Sequence, residues 1–406
     1  MPTVVISAYG VAGFPEGGGH LWVYLQYVLG LQQMGCQVYW LEAFRSKGRP
    51  EQEAAALAAF QAQLRQYGLD GRVIIYITHS KQTSPEAPTE YFNLSREEAE
   101  EVFARADLLL NFHYAISPAL LAQFRRTALV DIDPGLLQFW ISRRQISVPP
   151  HDRYLTTGET VGTPAARFPD CGLEWGHIRP PVCLERWPYR FDPAAEVFST
   201  VSNWSAKNWI VDGTDVYENT KRIAFLEFAD LPSHTDQPLE LALCLRTEAD
   251  AEDGRDLARR GWRVRQAREV VSTPEQYQRY IQESRGEFSC AKRSCMKFQN
   301  AWVSDRTVCY LASGKPVVVQ DTGPSSFLPN GEGMFRFSTL QQAADAFEAI
   351  NADYERHCRA ARKLAETCFD ARRVAAKILD HALKDVRAKG NECSTRHGSS
   401  RGWRGR

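Results

Sequence analysis

Apolar residues recur along this chain in two alternating registers. Short continuous runs, among them Val4-Val5-Ile6 and residues 73–77, 108–112 and 128–132, have the length and β-branched content of buried strands. Between them lie longer stretches with helical spacing. The helix expected to open at His20 is apolar on nearly every face and must be buried on most of them; Gly35 ends it, and residues 36–41 read as a second strand. Leu57, Phe60, Leu64 and Tyr67 fall at helical spacing with Gly68 as the stop. Ser95-Arg96-Glu97-Glu98 is a capping-box pattern, Ser117-Pro118 a cap followed by proline at the first helical position, and residues 153–158 one more strand.

From 147 to 193 the chain turns rich in Pro, Gly and Trp, and the prolines of 178–188 favour an extended linker. The alternation then resumes. Strands are expected at 197–201, 239–245, 262–264, 287–291, 316–319 and 333–337, and helices at 251–260, 274–284 and from 340 to about 383. Strands alternating with helices imply parallel sheets covered on both faces. The expected fold class is α/β, with two Rossmann-like, doubly wound parallel-sheet domains facing a cleft. The first would cover 1–190, with its linker from about 178. The second would cover 191–385 with the closing helices, and the basic, Gly/Ser-rich tail 386–406 is expected to be disordered.

Composition narrows the function classes. A length of 406 residues suits two domains of ordinary size, and 44% hydrophobic with 24% charged residues is the balance of a globular soluble protein. The 49 basic and 49 acidic side chains cancel, so no global field draws the chain to nucleic acid or an anionic membrane. No apolar run is long enough for a membrane span and no secretory signal is visible, so a cytoplasmic location is expected. Of ten cysteines only Cys290 and Cys295 lie close together, without a second pair to complete a zinc site, and no metal is expected.

The densest chemistry lies in 286–323. A short strand leads into a long loop carrying Lys and Arg, and Ser304 then stands where a helix N-cap belongs, with Asp305 and Arg306 in the first turn. The helix stops at Gly314, and Val317-Val318-Val319 runs into the turn Asp321-Thr322-Gly323. Unpaired N–H groups at such a helix start favour an anion, with Lys292 and Arg306 as charged donors. Arg306 in a first turn opposes the helix dipole at a cost of a few tenths of a kcal/mol unless an anion is near. Lys292, Ser304, Asp305, Arg306, Thr322 and Gly323 are therefore the expected anion-binding set. Opposite them, the run Gly17-Gly18-Gly19 would let backbone approach a ligand, and His20, with an ordinary pKa near 6.5, is the candidate base. Asp133 is expected to line the cleft, as the partner of His20 or as the base itself. Asp131 and Asp133, sharing one face of a strand, could instead hold Mg²⁺. His113, Gly158 and Glu159 follow other strands and are expected on the same cleft. Each has an ordinary alternative: a surface ion pair for Lys292 and Arg306, a helix-initiating histidine for His20.

Taken together, these features resemble the GT-B nucleotide-sugar glycosyltransferases, over about residues 1–385. The helix ending Leu311-Ala312-Ser313-Gly314, followed by Lys315-Pro316-Val317-Val318, is similar to the donor-binding region of the group 1 enzymes. Phe14-Pro15 through Gly19-His20 is similar to the amino-terminal loop of plant and antibiotic glycosyltransferases. The group 1 pair of glutamates seven residues apart is absent, since Glu287 lies far upstream and 307–311 holds no acid. The resemblance implies a hexosyltransferase that takes a UDP-type nucleotide-diphosphate sugar, inverting or retaining, without metal or other cofactor. Its acceptor would be a small molecule or glycan rather than nucleic acid. A nucleotide-sugar epimerase, or a catalytically degenerate binding or scaffold protein of the same fold, are the alternatives.

Overall fold

The structure is a computed structural model that describes residues 1–79, 86–205 and 209–384. Its first sheet comprises β1 (Thr3–Ala8), β2 (Gln37–Arg45), β3 (Val73–Thr78), β4 (Tyr91–Phe92), β5 (Leu108–Asn111), β6 (Thr127–Asp131), β7 (Arg153–Thr156) and β8 (Trp175–His177). They lie in the order β4-β3-β2-β1-β5-β6-β7-β8, and every pair is parallel except β3 with β4. The second half holds β9 (Phe198–Asn203), a hairpin of β10 (Trp209–Asp212) and β11 (Asp215–Glu218), then β12 (Leu239–Cys244), β13 (Arg263–Gln266), β14 (Gly286–Ser289), β15 (Val317–Gln320) and β16 (Met334–Phe337). Apart from the hairpin these form an all-parallel sheet ordered β13-β12-β9-β14-β15-β16. The strand order reverses between β1 and β5 in one sheet and between β9 and β14 in the other, which places a ligand crevice at the carboxyl end of each reversal.

Six helices position the site: α1 (Gly18–Gln33), α2 (Pro50–Arg65), α3 (Lys221–Glu227), α4 (Pro274–Glu283), α5 (Asp305–Ala312) and α6 (Ala371–Leu383). Helix α1 is the joint of the molecule. Its Leu21, Trp22, Leu25, Val28 and Leu31 are all buried, as their all-round apolar pattern requires. On one side it meets α6, the last of the closing helices, and on another it meets α4 and α5 of the second domain. Glycines permit these approaches. A Cβ on Gly30 would fall 2.5 Å from the Ala371 carbonyl oxygen, and one on Gly18 only 2.3 Å from that of Thr273. The Trp22 indole N–H donates to the Pro274 carbonyl at 2.9 Å across the same contact.

Several local expectations differ from the observed chain. Helix α1 starts at Gly18, two residues before His20, because Gly18 and Gly19 already follow helical geometry after the Gly17 N-cap. The loop after β14 contains a short helix, Arg293–Phe298. The hairpin β10–β11 lies in a segment without clear periodicity. The linker is extended but not isolated: the Val182 N–H donates to the Phe369 carbonyl at 2.7 Å, tying it to the closing helices. The expected disorder of 386–406 concerns residues outside the described ones.

Candidate functional site

A cavity of about 430 Å³ lies between the two sheets at the carboxyl ends of their strands, within the size range of small-molecule sites. The first domain contributes Gly17, Gly18, Gly19, His20, Tyr24 and Asp133. The second contributes Ser202, Asn203, Lys221, Arg246, Lys292, Trp302, Ser304, Asp305 and Arg306. Nine residues singled out in the sequence therefore meet here, although they come from four separate loops.

The loop leading to His20 is anchored from beneath. Glu42 on β2 is fully buried, accepting the Ala12 N–H at 2.8 Å and the Trp40 indole N–H at 2.9 Å; burial lifts its carboxyl to about 7. His20 sits half-buried at the top of α1 with its ring edge-on to Tyr24. Its Nε2 lies 2.9 Å from the Tyr9 carbonyl oxygen. A carbonyl only accepts, so Nε2 carries the hydrogen and the neutral ring keeps its lone pair on Nδ1. Burial lowers the His20 pKa from its ordinary value, outweighing the opposing pull of the Tyr9 carbonyl and Asp305. The glycine run before it lines the cavity and also joins the domains: Gly18 lies against Thr273 and Gly19 against the Tyr277 ring of the second domain, where a Cβ on Gly19 would come within 2.5 Å.

Asp133 does not pair with His20. Its carboxylate faces Lys292 at 3.4 Å across the interdomain gap, and this neighbour holds the Lys292 ammonium above its usual pKa. Asp131 points the other way. It is buried, with Oδ2 accepting from Gln138 at 2.8 Å and Thr156 at 2.9 Å, and Oδ1 accepting the Asp133 N–H at 3.0 Å. Desolvation raises it to about 7 despite those bonds. Asp131 is thus enclosed while Asp133 faces the cleft, and no cluster of three or more His, Cys, Asp or Glu exists among the described residues.

Arg306 also departs from expectation. It stands in the first turn of α5, after the Ser304 cap, but points down into the domain instead of outward to solvent. Its Nε donates to Glu287 on β14 at 2.8 Å, one Nη to the Val201 carbonyl at 2.7 Å and the other to the Ser289 hydroxyl. Both partners of the ion pair are buried. Glu287 offsets the cost of placing a cation against the helix dipole.

The remaining expected residues lie elsewhere. Thr322 donates its hydroxyl to the Trp302 carbonyl at 2.8 Å, and Gly323 packs at φ +123° on the Gln299 backbone, so both shape the loop behind the cavity. Gly158 packs on Pro134 and Val161. Glu159 accepts from the hydroxyls of Ser325 and Ser326, which makes it a tie between domains. His113 lines a second cavity and stacks on Tyr9.

One residue the sequence did not reveal is Lys221, at the first position of α3. It reaches the cavity, lies 5.4 Å from the centre of the Trp302 ring, and makes no hydrogen bond or salt bridge among the described residues. Desolvation first, and Arg306 second, bring its ammonium down to about 7. The segment 205–238 has little periodicity; the polar Asn219-Thr220 before a helix start was the available signal.

Two facing Rossmann-like domains, with the closing helix returned onto the first, define the GT-B fold. The chain aligns with HepE from Anabaena in complex with UDP and glucose at 11% identity, covering 94% of this chain and 99% of that one with a TM-score of 0.55. It aligns with sucrose-phosphate synthase from Thermosynechococcus elongatus at 13% identity over 94% and 98% of the two chains, TM-score 0.53. An alpha-glucosyltransferase in complex with UDP and a 13-mer DNA gives 11% identity over 95% and 99%, TM-score 0.56. No protein-family model matches the sequence, and no curated protein matches it.

Arg306→Ala would strand Glu287 as an uncompensated buried charge. The expected loss is about 3–5 kcal/mol of stability, read from the denaturant midpoint. A midpoint within about 0.5 kcal/mol of the parent would show that the pair is not structural.

Proposed function

We propose that the protein is a glycosyltransferase, moving a sugar from a nucleotide-diphosphate sugar to an acceptor held by the first domain. The observation that carries this reading is Lys221: a lysine facing the interdomain cavity, without a counter-ion at bonding distance among the described residues. Burying an ammonium uncompensated is unfavourable, and a diphosphate supplies the missing charge. Lys292 lies in the same cavity and can divide its charge between Asp133 and a phosphate. The fold shared with proteins whose structures hold UDP supports the same ligand class.

In this reading the acceptor hydroxyl attacks the anomeric carbon, the bond from that carbon to the diphosphate oxygen breaks, and the leaving charge stays on the nucleoside diphosphate beside Lys221 and Lys292. His20 Nδ1 receives the hydroxyl proton, because Nε2 is committed to Tyr9. Asp133 orients Lys292. Ser304, Asp305 and the backbone at the start of α5 offer hydrogen bonds to the donor. With two lysines meeting the phosphates, the reaction is proposed to need no metal ion. A nucleotide-sugar epimerase has less use for the second, larger cavity beside His20.

Lys221→Ala is expected to weaken nucleoside diphosphate binding by about 1.5–3 kcal/mol, the scale of one charge-assisted hydrogen bond. Because the free ammonium titrates near 7 and an anion favours its charged form, binding to the parent at pH 8 should take up a proton. Calorimetry in buffers of different ionisation enthalpy reads that uptake. An unchanged affinity in the variant would remove Lys221 from the site.

His20→Ala is expected to lower kcat by a factor of about 10²–10⁴ with little change in donor affinity. Since burial lowers the imidazole pKa, the acidic limb of the parent's kcat profile should lie below pH 6.5, where protonation of Nδ1 removes the base. A variant retaining both its rate and that limb would assign His20 a structural role only.

A further inference from the structure

Beyond the loop that carries His20, a second and larger cavity of about 1410 Å³ opens over the carboxyl ends of the first domain's strands. Glu16 lines both cavities, so the two adjoin along that loop. Two independent features mark the second one.

The first is charge. Arg45 ends β2 and Lys47 and Arg49 follow at alternate positions of the segment leading to α2; all three line the cavity and are exposed. Neither guanidinium makes a hydrogen bond or salt bridge among the described residues. Arg49 is the N-cap of α2, a place where the helix dipole repels a cation and attracts an anion. Of the acids on this cavity, Glu53 accepts the backbone N–H groups of Lys47 and Arg49 and the Ser46 hydroxyl, so it folds the segment. Glu16 stands at the mouth shared with the first cavity.

The second feature is His113. The residue is only 6% exposed, its ring is stacked on Tyr9, and its Nδ1 is buried without a hydrogen-bond partner among the described residues. The residue lines the same cavity as the basic segment. An unpartnered buried imidazole is costly unless a ligand group completes it.

We propose that this cavity selects an acceptor carrying an anionic oxygen group, with a phosphate monoester matching two guanidinia and an ammonium best. The basic segment holds the anion, His113 meets a hydroxyl of the same molecule, and the acceptor is thereby presented toward His20. The proposal rests on the transferase reading for its word acceptor, but the anion site itself does not.

The test separates the two. The first cavity is saturated with the nucleoside diphosphate that most raises the melting temperature, and inorganic phosphate and glucose 6-phosphate are then titrated calorimetrically, with glucose as the neutral control. The parent protein is expected to bind the two phosphates and not glucose. Arg45→Ala/Arg49→Ala should raise their Kd at least about tenfold, the loss of roughly one charge-assisted contact, while nucleotide affinity stays unchanged. Both arginines are exposed, so the double variant should fold. Nucleotide binding without any phosphate binding, or phosphate binding indifferent to the two arginines, overturns the anion site and leaves the transferase reading standing. Arginine-dependent phosphate binding in a protein that binds no nucleoside diphosphate supports the anion site and overturns the transferase reading.

Discussion

The buried ion pair of Arg306 and Glu287 is the constraint around which the site is built. Its guanidinium reaches the Val201 carbonyl on β9, the carboxylate of Glu287 and the Ser289 hydroxyl on β14, and so fastens the first turn of α5 across the two strands where the second sheet reverses its order. A helix end held by three bonds cannot slide, and Ser304 and Asp305 are thereby fixed on the floor of the cavity. The pair also has an electrostatic consequence: with Arg306 neutralised below, the cations left to face the cavity are Lys221 and Lys292 together with Arg246 and Arg268. Replacing one partner would expose the other to an unsatisfied interior, which is why the geometry resists change.

The opposite wall depends on α1. Its glycines bring the helix start against Thr273 and Tyr277, and Glu42 holds the preceding loop from below, so His20 is presented by the same contacts that join the domains. The cleft is thus a by-product of domain packing. Lys292 with Asp133, and Glu159 with Ser325 and Ser326, add polar ties on either side of it.

The architecture was legible because it follows from period and punctuation. Val317-Val318-Val319 can hardly be anything but a buried parallel strand, and the Ser95 and Ser117 caps stand where their residue types indicate. Convergence of His20, Asp133, Lys292 and Ser304 was also legible, since residues after parallel strands gather at one edge of the sheet. Direction was not. The position of Arg306 in a first turn says nothing about whether its side chain goes up to a ligand or down to Glu287, nineteen residues earlier and one strand away. Asp131 and Asp133 share a strand-end pattern, yet Gln138 and Thr156 draw the first inward and leave the second in the cleft. Lys221 was hidden because its neighbourhood has no strong hydrophobic period, and a lone lysine gains meaning only from what fails to pair with it.

Product analysis with nucleotide sugars labelled in the sugar, in the presence of a chelator, reads whether the interdomain cavity transfers a sugar away from a nucleoside diphosphate. Free nucleoside diphosphate should be released, with the label passing to an added acceptor or, more slowly, to water. Recovery of the label as an epimerised nucleotide sugar, or of the donor unchanged by a protein that binds it, would rule out sugar transfer.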